Sequence, residues 1–326
     1  MKQSQFEHRH QAAWKRFARQ LDTLERGKAN GKGCSEFAGA YRQLCQHLAL
    51  ARERGYSNHL VEHLQQLAMR GHQQFYRHRS HLGAQLIGFL LGGLSRLVRQ
   101  EWRHVLAASL LFFGSLIGMG VLVYLVPELV YSLIGPEQVS AMEAMYDPAA
   151  RRLGRFGERN AGDDWMMFGF YIMNNIGIAF QTFASGLLFG LGSLFFLLHN
   201  GLVIGALAGH LTQLGYGEPF WSFVIGHGAF ELTAIALAGA AGLRLGSALL
   251  APGRLPRGEA LRLAARPAVR LVAGATLFLL IAAFIEAYWS SMTFASPTVK
   301  YLVGAGLWLL VLGYLLFAGR GQHAPD

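Results

Sequence analysis

Between residues 104 and 318 the chain repeatedly runs for about 20 residues with almost no charge, and arginines or polar loops end each run. A helix rises about 1.5 Å per residue, so about 20 apolar residues cross the roughly 30 Å hydrocarbon layer of a bilayer. Inside lipid the backbone must satisfy its own hydrogen bonds, which admits helices and closed barrels only. Strand signals are absent from the sequence. The runs at 104–126, 168–197, 201–214, 219–248, 268–290 and 299–318 therefore predict an all-α, polytopic membrane protein with about six transmembrane helices. The run 201–214 is short, which leaves a re-entrant segment open there.

Charge divides the chain in two. Charged residues make up 15% of the whole, against about a quarter in a soluble domain. Residues 1–103 hold 17 Lys and Arg against 7 Asp and Glu, a net +10, while residues 104–326 hold 12 of each. A basic segment suits either nucleic acid or an anionic membrane surface. The apolar runs that follow it favour membrane lipids and argue against nucleic acid. Eight of the 13 histidines fall before residue 82 without tight ligand spacing, as expected of a solvated polar face. Cys34 and Cys45 face a reducing compartment on this reading, so no disulfide is expected. The first 25 residues contain no apolar signal-peptide core, and insertion is expected to rely on internal spans.

The basic segment itself reads as helices at 3–26, 35–54 and 59–79, joined by turns at Gly27–Gly33 and Gly55–Asn58. Ser57 or Asn58 is placed to cap the third. The predicted organisation is a cytoplasmic helical domain over 1–82, a juxtamembrane helix over 83–103, a transmembrane domain over 104–318 and a tail over 319–326. The juxtamembrane segment suits either an interfacial helix or a fourth helix of the bundle. Arg96, Arg99 and Arg103 precede the first span, and Arg254, Arg257, Arg262, Arg266 and Arg270 lie between the fourth and fifth. The loop 127–167 carries seven acidic residues against four arginines. The positive-inside rule then puts both termini in the cytoplasm and 127–167 in the periplasm of a bacterial inner membrane. Arg244, near the end of the fourth run, is expected to snorkel to the headgroups.

Polar residues within the runs need a reason, because an ionisable group at mid-bilayer costs about 2.5–3.5 kcal/mol on insertion scales. His227 and Glu231 are spaced i, i+4 on one helical face. Glu286 lies near the outer end of the fifth run, and Asn174, Asn175 and Gln181 lie in the second. The orientation gives these groups comparable depth, so they are expected to converge on one intramembrane cluster, either hydrogen-bonding glue or a site for a substrate, proton or ion. His227, Glu231 and Glu286 would supply three metal ligands. The paired histidines of a zinc-protease helix are missing, so no metal or cofactor is expected. No catalytic motif rises above background, and an enzyme is not the expected reading. His199 and Asn200, ahead of Gly201, are read as a tight cytoplasmic turn. The repeats Gly186-xxx-Gly190, Gly201-xxx-Gly205-xxx-Gly209 and Gly242-xxx-Gly246 are read as close-packing faces, within the chain or in a homodimer.

Three stretches carry a family likeness: Asn174 to Gly186, His199-Asn-Gly201, and Gly226-His-Gly-Ala-Phe-Glu through Gly242. With Pro252-Gly253, Arg257 and Ile285-Glu286, they resemble the stage II sporulation protein M family. The stretch with Trp14, Tyr41–Leu44 and Leu48–Arg52 is similar to the cytoplasmic portion of non-sporulating members. The resemblance implies a multispanning scaffold, without an established biochemical activity, that assembles with envelope partners. MoxR-type ATPases and von Willebrand factor type A domain proteins are the partners it suggests. The competing expectation is a transporter or lipid-linked substrate flippase that uses the polar cluster, aided by helix breaks at Gly186–Gly192.

Overall fold

The computed structural model describes residues 1–25, 34–75, 82–149, 161–292 and 294–320. It separates into two compact units, Met1–Gly83 and Ala84–Asp326.

Three helices build the first unit: α1 (Gln3–Glu25), α2 (Cys34–Glu53) and α3 (Asn58–Phe75). Their apolar residues recur at helical spacing, so Phe6, Trp14, Phe17 and Leu21 meet Phe37, Leu44, Leu60 and Leu64 in one core. Gly55 adopts a left-handed φ of +62° just after α2. The Ser57 carbonyl accepts the Leu60 and Val61 amides that begin α3. Gln3 bonds both the amide and the hydroxyl of Ser57, at 3.0 and 2.8 Å, tying the start of α1 to that turn. One histidine leaves the predicted solvated face: His47 is buried, accepts from Trp14 Nε1 at 3.1 Å and lies against the His10 ring. Burial lowers the His47 pKa and the neighbouring His10 adds to it; His10 is lowered by burial and then by Arg9. The predicted turn Gly27–Gly33 and the end of the third helix at Arg79 lie outside the described residues.

From Ala84 the second unit takes in the rest of α4 (Leu82–Gly88) and α5 (Leu94–Gln100), joined by a π turn at Phe89–Gly93. It continues with α6 (Trp102–Leu125), the short α7 (Pro136–Tyr146), α8 (Ala161–Ala184), α9 (Leu191–Gln213) and α10 (Gly217–Leu250). It closes with α11 (Arg257–Phe284), extended by a second π turn at Ile285–Ser290, and α12 (Pro297–Phe317). The 34-residue α10 is the axis, packed by α6, α8, α9, α11 and α12. Its lining of Ala and Gly lets five helices approach one rod. Leu110, Ile117, Leu191, Phe195, Leu302 and Leu309 point outward instead, as the lipid-facing side of a bilayer protein requires.

Five of these helices are long and apolar enough to cross a membrane: α6, α9, α10, α11 with its π turn, and α12. The sixth expected crossing corresponds to α8, whose average is lowered by Asn174, Asn175 and Gln181. It still runs beside α10: Asn175 and Glu231 share a cavity, and eleven residues further along each helix Gly186 touches Gly242. Equal spacing makes the two parallel. By the same logic Phe112, Leu116 and Gly120 of α6 meet Gly201, Gly205 and Gly209 of α9, so that pair is parallel too.

The chain reversal between α8 and α9 corrects the sequence reading. Residues 198–201 are helical; the break is at 185–190, where Phe189 has φ +53° and Gly190 φ +83°. His199 stacks on Phe195 and Asn200 donates to the Phe196 carbonyl, both within α9. Polarity suggested a turn there, but Gly201, Gly205 and Gly209 are used to seat α9 on α6, which needs unbroken helix. The segment 201–214 is accordingly the second half of a 23-residue helix and not a short or re-entrant span. The Gly-xxx-Gly repeats meet other helices of the same chain. A Cβ on Gly186 would lie 2.3 Å from the Gly242 carbonyl oxygen, and one on Gly205 2.2 Å from that of Leu116.

The juxtamembrane segment also has a definite place. Leu94, Leu97 and Val98 are buried in the membrane unit's core. Ser95 and Arg99 satisfy the carbonyls that end α12: the Arg99 guanidinium donates to Leu315 and Ala318 oxygens at 2.9 and 2.8 Å. Arg244 is paired rather than snorkelling free, at 3.2 Å from Glu101, whose other contact is His104 Nδ1 at 3.0 Å. His104 Nε2 reaches the Ser247 hydroxyl at 3.2 Å.

Candidate functional site

At the opposite end of the membrane unit, α10 places His227 and Glu231 on one face, and the π turn places Glu286 and Ser290 against them. A π turn inserts one residue into the helical repeat and re-aims the side chains that follow; such turns concentrate at functional sites. His227 Nδ1 lies 3.1 Å from Ser290 Oγ. Its Nε2 lies 3.8 Å from Glu231 Oε2, beyond hydrogen-bond reach. One nitrogen of His227 and one oxygen each of Glu231 and Glu286 fall within 4.8 Å of one another.

A cavity of about 320 Å³ opens on this cluster, lined on its polar side by Asn174, Asn175, Tyr171, Glu231 and Glu286. Met142, Met145 and Tyr146 of α7 and Phe220 and Phe223 of α10 form its apolar wall. The segment expected in the periplasm thus supplies one wall. It is held by Glu143, whose Oε1 lies 2.7 Å from His210 Nε2 on α9.

The structure brings together five of the six expected cluster residues: Asn174, Asn175, His227, Glu231 and Glu286. Asn175 is the buried asparagine; Asn174 is more exposed and donates to Asn175 Oδ1 at 2.9 Å. Gln181 stands apart, on an exposed face of α8. The inward stripe of α8 runs through Asn175, Ala179 and Thr182, and Gln181 falls beside it.

Two residues escaped the sequence reading. Lys300 is 2% exposed and donates to the Ser290 carbonyl at 2.8 Å. Ser290 therefore links a buried lysine to His227. The signal was present: Lys300 is the one charge in the otherwise uncharged helix 297–317.

Residues 107–291 match the family model described as Stage II sporulation protein M. The chain belongs to the stage II sporulation protein M family. The matched stretch holds Asn174, Asn175, His227, Glu231, Glu286 and Ser290, whereas Lys300 comes from beyond it. Residues 4–77 match a second model, a domain of unknown function (DUF8413), so the N-terminal helices have a family of their own. No curated protein and no solved structure matched the chain.

Proposed function

We propose that this stage II sporulation protein M family member binds a small polar or cationic solute inside the bilayer and works as a transporter. The observation that carries this reading is the cavity beside Asn175, Glu231 and Glu286. Glu231 and Glu286 line a cavity of about 320 Å³ rather than a closed helix interface, which leaves room for a solute beside them. Carboxylates and carboxamides attract cations and donors, and the aromatic and methionine wall tolerates an apolar portion of the solute. In this reading both termini are cytoplasmic in a bacterial inner membrane, and the cavity lies in the periplasmic half.

Complementation tests it. In a strain lacking the gene, the folded, membrane-inserted His227→Ala and Glu231→Gln variants should fail to restore the wild-type phenotype. Full restoration by both would reduce the cluster to a structural role.

A second reading is favoured by the N-terminal unit: a compact three-helix body, in the basic region of net +10, with its own family match. It suits a docking platform for cytoplasmic partners, with MoxR-type ATPases and von Willebrand factor type A domain proteins the ones the family suggests. Co-purification of such partners with the full chain, lost when residues 1–82 are removed, would support it. Recovery of the chain alone under mild crosslinking would count against it.

A further inference from the structure

We infer that His227, Glu231 and Glu286 form a binding site for one divalent first-row transition-metal ion. Ligands on one such ion stand about 2.0–2.2 Å from it, so their donor atoms lie about 3–3.5 Å apart. The 3.8 Å between His227 Nε2 and Glu231 Oε2 is too long for a hydrogen bond and close to that ligand separation. The three donors lie within 4.8 Å, so small rotations of two flexible Glu side chains complete the set.

The surroundings are those of a supported ligand set. A metal-bound histidine ordinarily engages its second ring nitrogen with a neighbour, which fixes the ring. Here Nδ1 meets Ser290 Oγ, leaving Nε2 for the ion. Lys300 in turn holds the Ser290 carbonyl, so the π turn carrying both Glu286 and Ser290 is anchored from α12. The cavity leaves a further coordination position open to water or to Asn175. Charge agrees: two carboxylates of one site repel each other when both are ionised, and a divalent ion between them offsets that repulsion. One imidazole with two carboxylates suits Zn²⁺, Mn²⁺ or Fe²⁺ better than the all-oxygen shells of Ca²⁺ and Mg²⁺. The inference rests on the transport reading in one respect only, that the cavity admits the ion.

The test uses the purified full chain with Cys34 and Cys45 replaced by Ser, stripped with chelator and titrated with ZnCl₂ by calorimetry. Other histidines, including those of α1 to α3, will add weak Zn²⁺ sites, so the readout is the difference between variants. The parent should show one tight equivalent that E231Q/E286Q lacks. Ser290→Ala, which keeps every ligand, should weaken that site about 10–100-fold. Identical isotherms for the parent and E231Q/E286Q would overturn the inference. If that double variant does not fold, Ser290→Ala decides: an unchanged affinity overturns the site. Loss of Zn²⁺ binding and loss of complementation are separate readouts. Variants that fail to complement while the parent binds no Zn²⁺ would leave transport standing and remove the metal.

Discussion

The two ends of the membrane unit are built differently from the same kinds of residue. At one end, Arg244, Glu101, His104 and Ser247 form a closed chain of contacts, and Arg99 with Ser95 covers the last carbonyls of α12. There Gly186 and Gly190 press directly on Gly242 and Gly246. At the other end, His227, Glu231 and Glu286 border a cavity, and the wall is made of large side chains. Matched charges and backbone-to-backbone packing make a rigid base. Carboxylates and a carboxamide lining open space make a looser, more polar end. The difference separates polar groups packed into a closed interface from polar groups that line a cavity.

Substitutions should expose that difference. The largest effect is expected at Gly242, where an added Cβ would meet Ser193 Oγ and the Thr182 and Phe183 carbonyls. Gly242→Leu should yield no monodisperse protein on size exclusion, whereas Gly177→Ala, with open space around it, should behave as wild type. Next comes Arg99→Ala, which leaves the Leu315 and Ala318 carbonyls with fewer donors and should cost about 1–3 kcal/mol, read as a lower melting temperature in detergent. At the cavity end, Glu231→Gln replaces a carboxylate that stands 3.8 Å from His227, beyond hydrogen-bond reach, with a neutral group of the same shape and should leave thermal stability unchanged or raised. A loss as large as that of Arg99→Ala would erase the distinction between the ends.

The smallest effect lies in the N-terminal unit. The lowered His10 and His47 values mean that the unfolded chain takes up protons first as pH falls below about 6.5. Their contribution to stability is therefore present above that pH and declines below it. Hydrogen exchange of α1 and α2 amides, corrected for intrinsic rates, should show less protection at pH 5.5 than at pH 7.5. Equal protection would contradict the buried, neutral pairing of Trp14 with His47.

Most of the fold was legible because membrane helices advertise themselves by length and composition. The three helices of the basic segment were legible from the spacing of Phe6, Trp14, Leu44 and Leu64. The convergence of His227, Glu231 and Glu286 followed from depth alone, once arginine placement had oriented the spans. What failed was local. His199 and Asn200 looked like a turn because polarity was weighed without the glycine face that carries α9 past them. Gln181 looked like a site residue because depth does not say which side of a helix faces inward, and the buried side of α8 runs through Asn175, Ala179 and Thr182. The π turn left no hydropathy signal, so the approach of Ser290 to His227 and the burial of Lys300 behind it were not legible.

The central claim is that the carboxylate-bearing end is open to water and the opposite end is not. Single cysteines at Asn174 and at Ser193, each in the C34S/C45S chain reconstituted into membranes, can be reacted with a membrane-impermeant thiol reagent. Cys at 174 should react at least ten times faster than Cys at 193, which replaces a fully buried serine. Equal rates, or no reaction at 174 in the folded protein, would contradict the account.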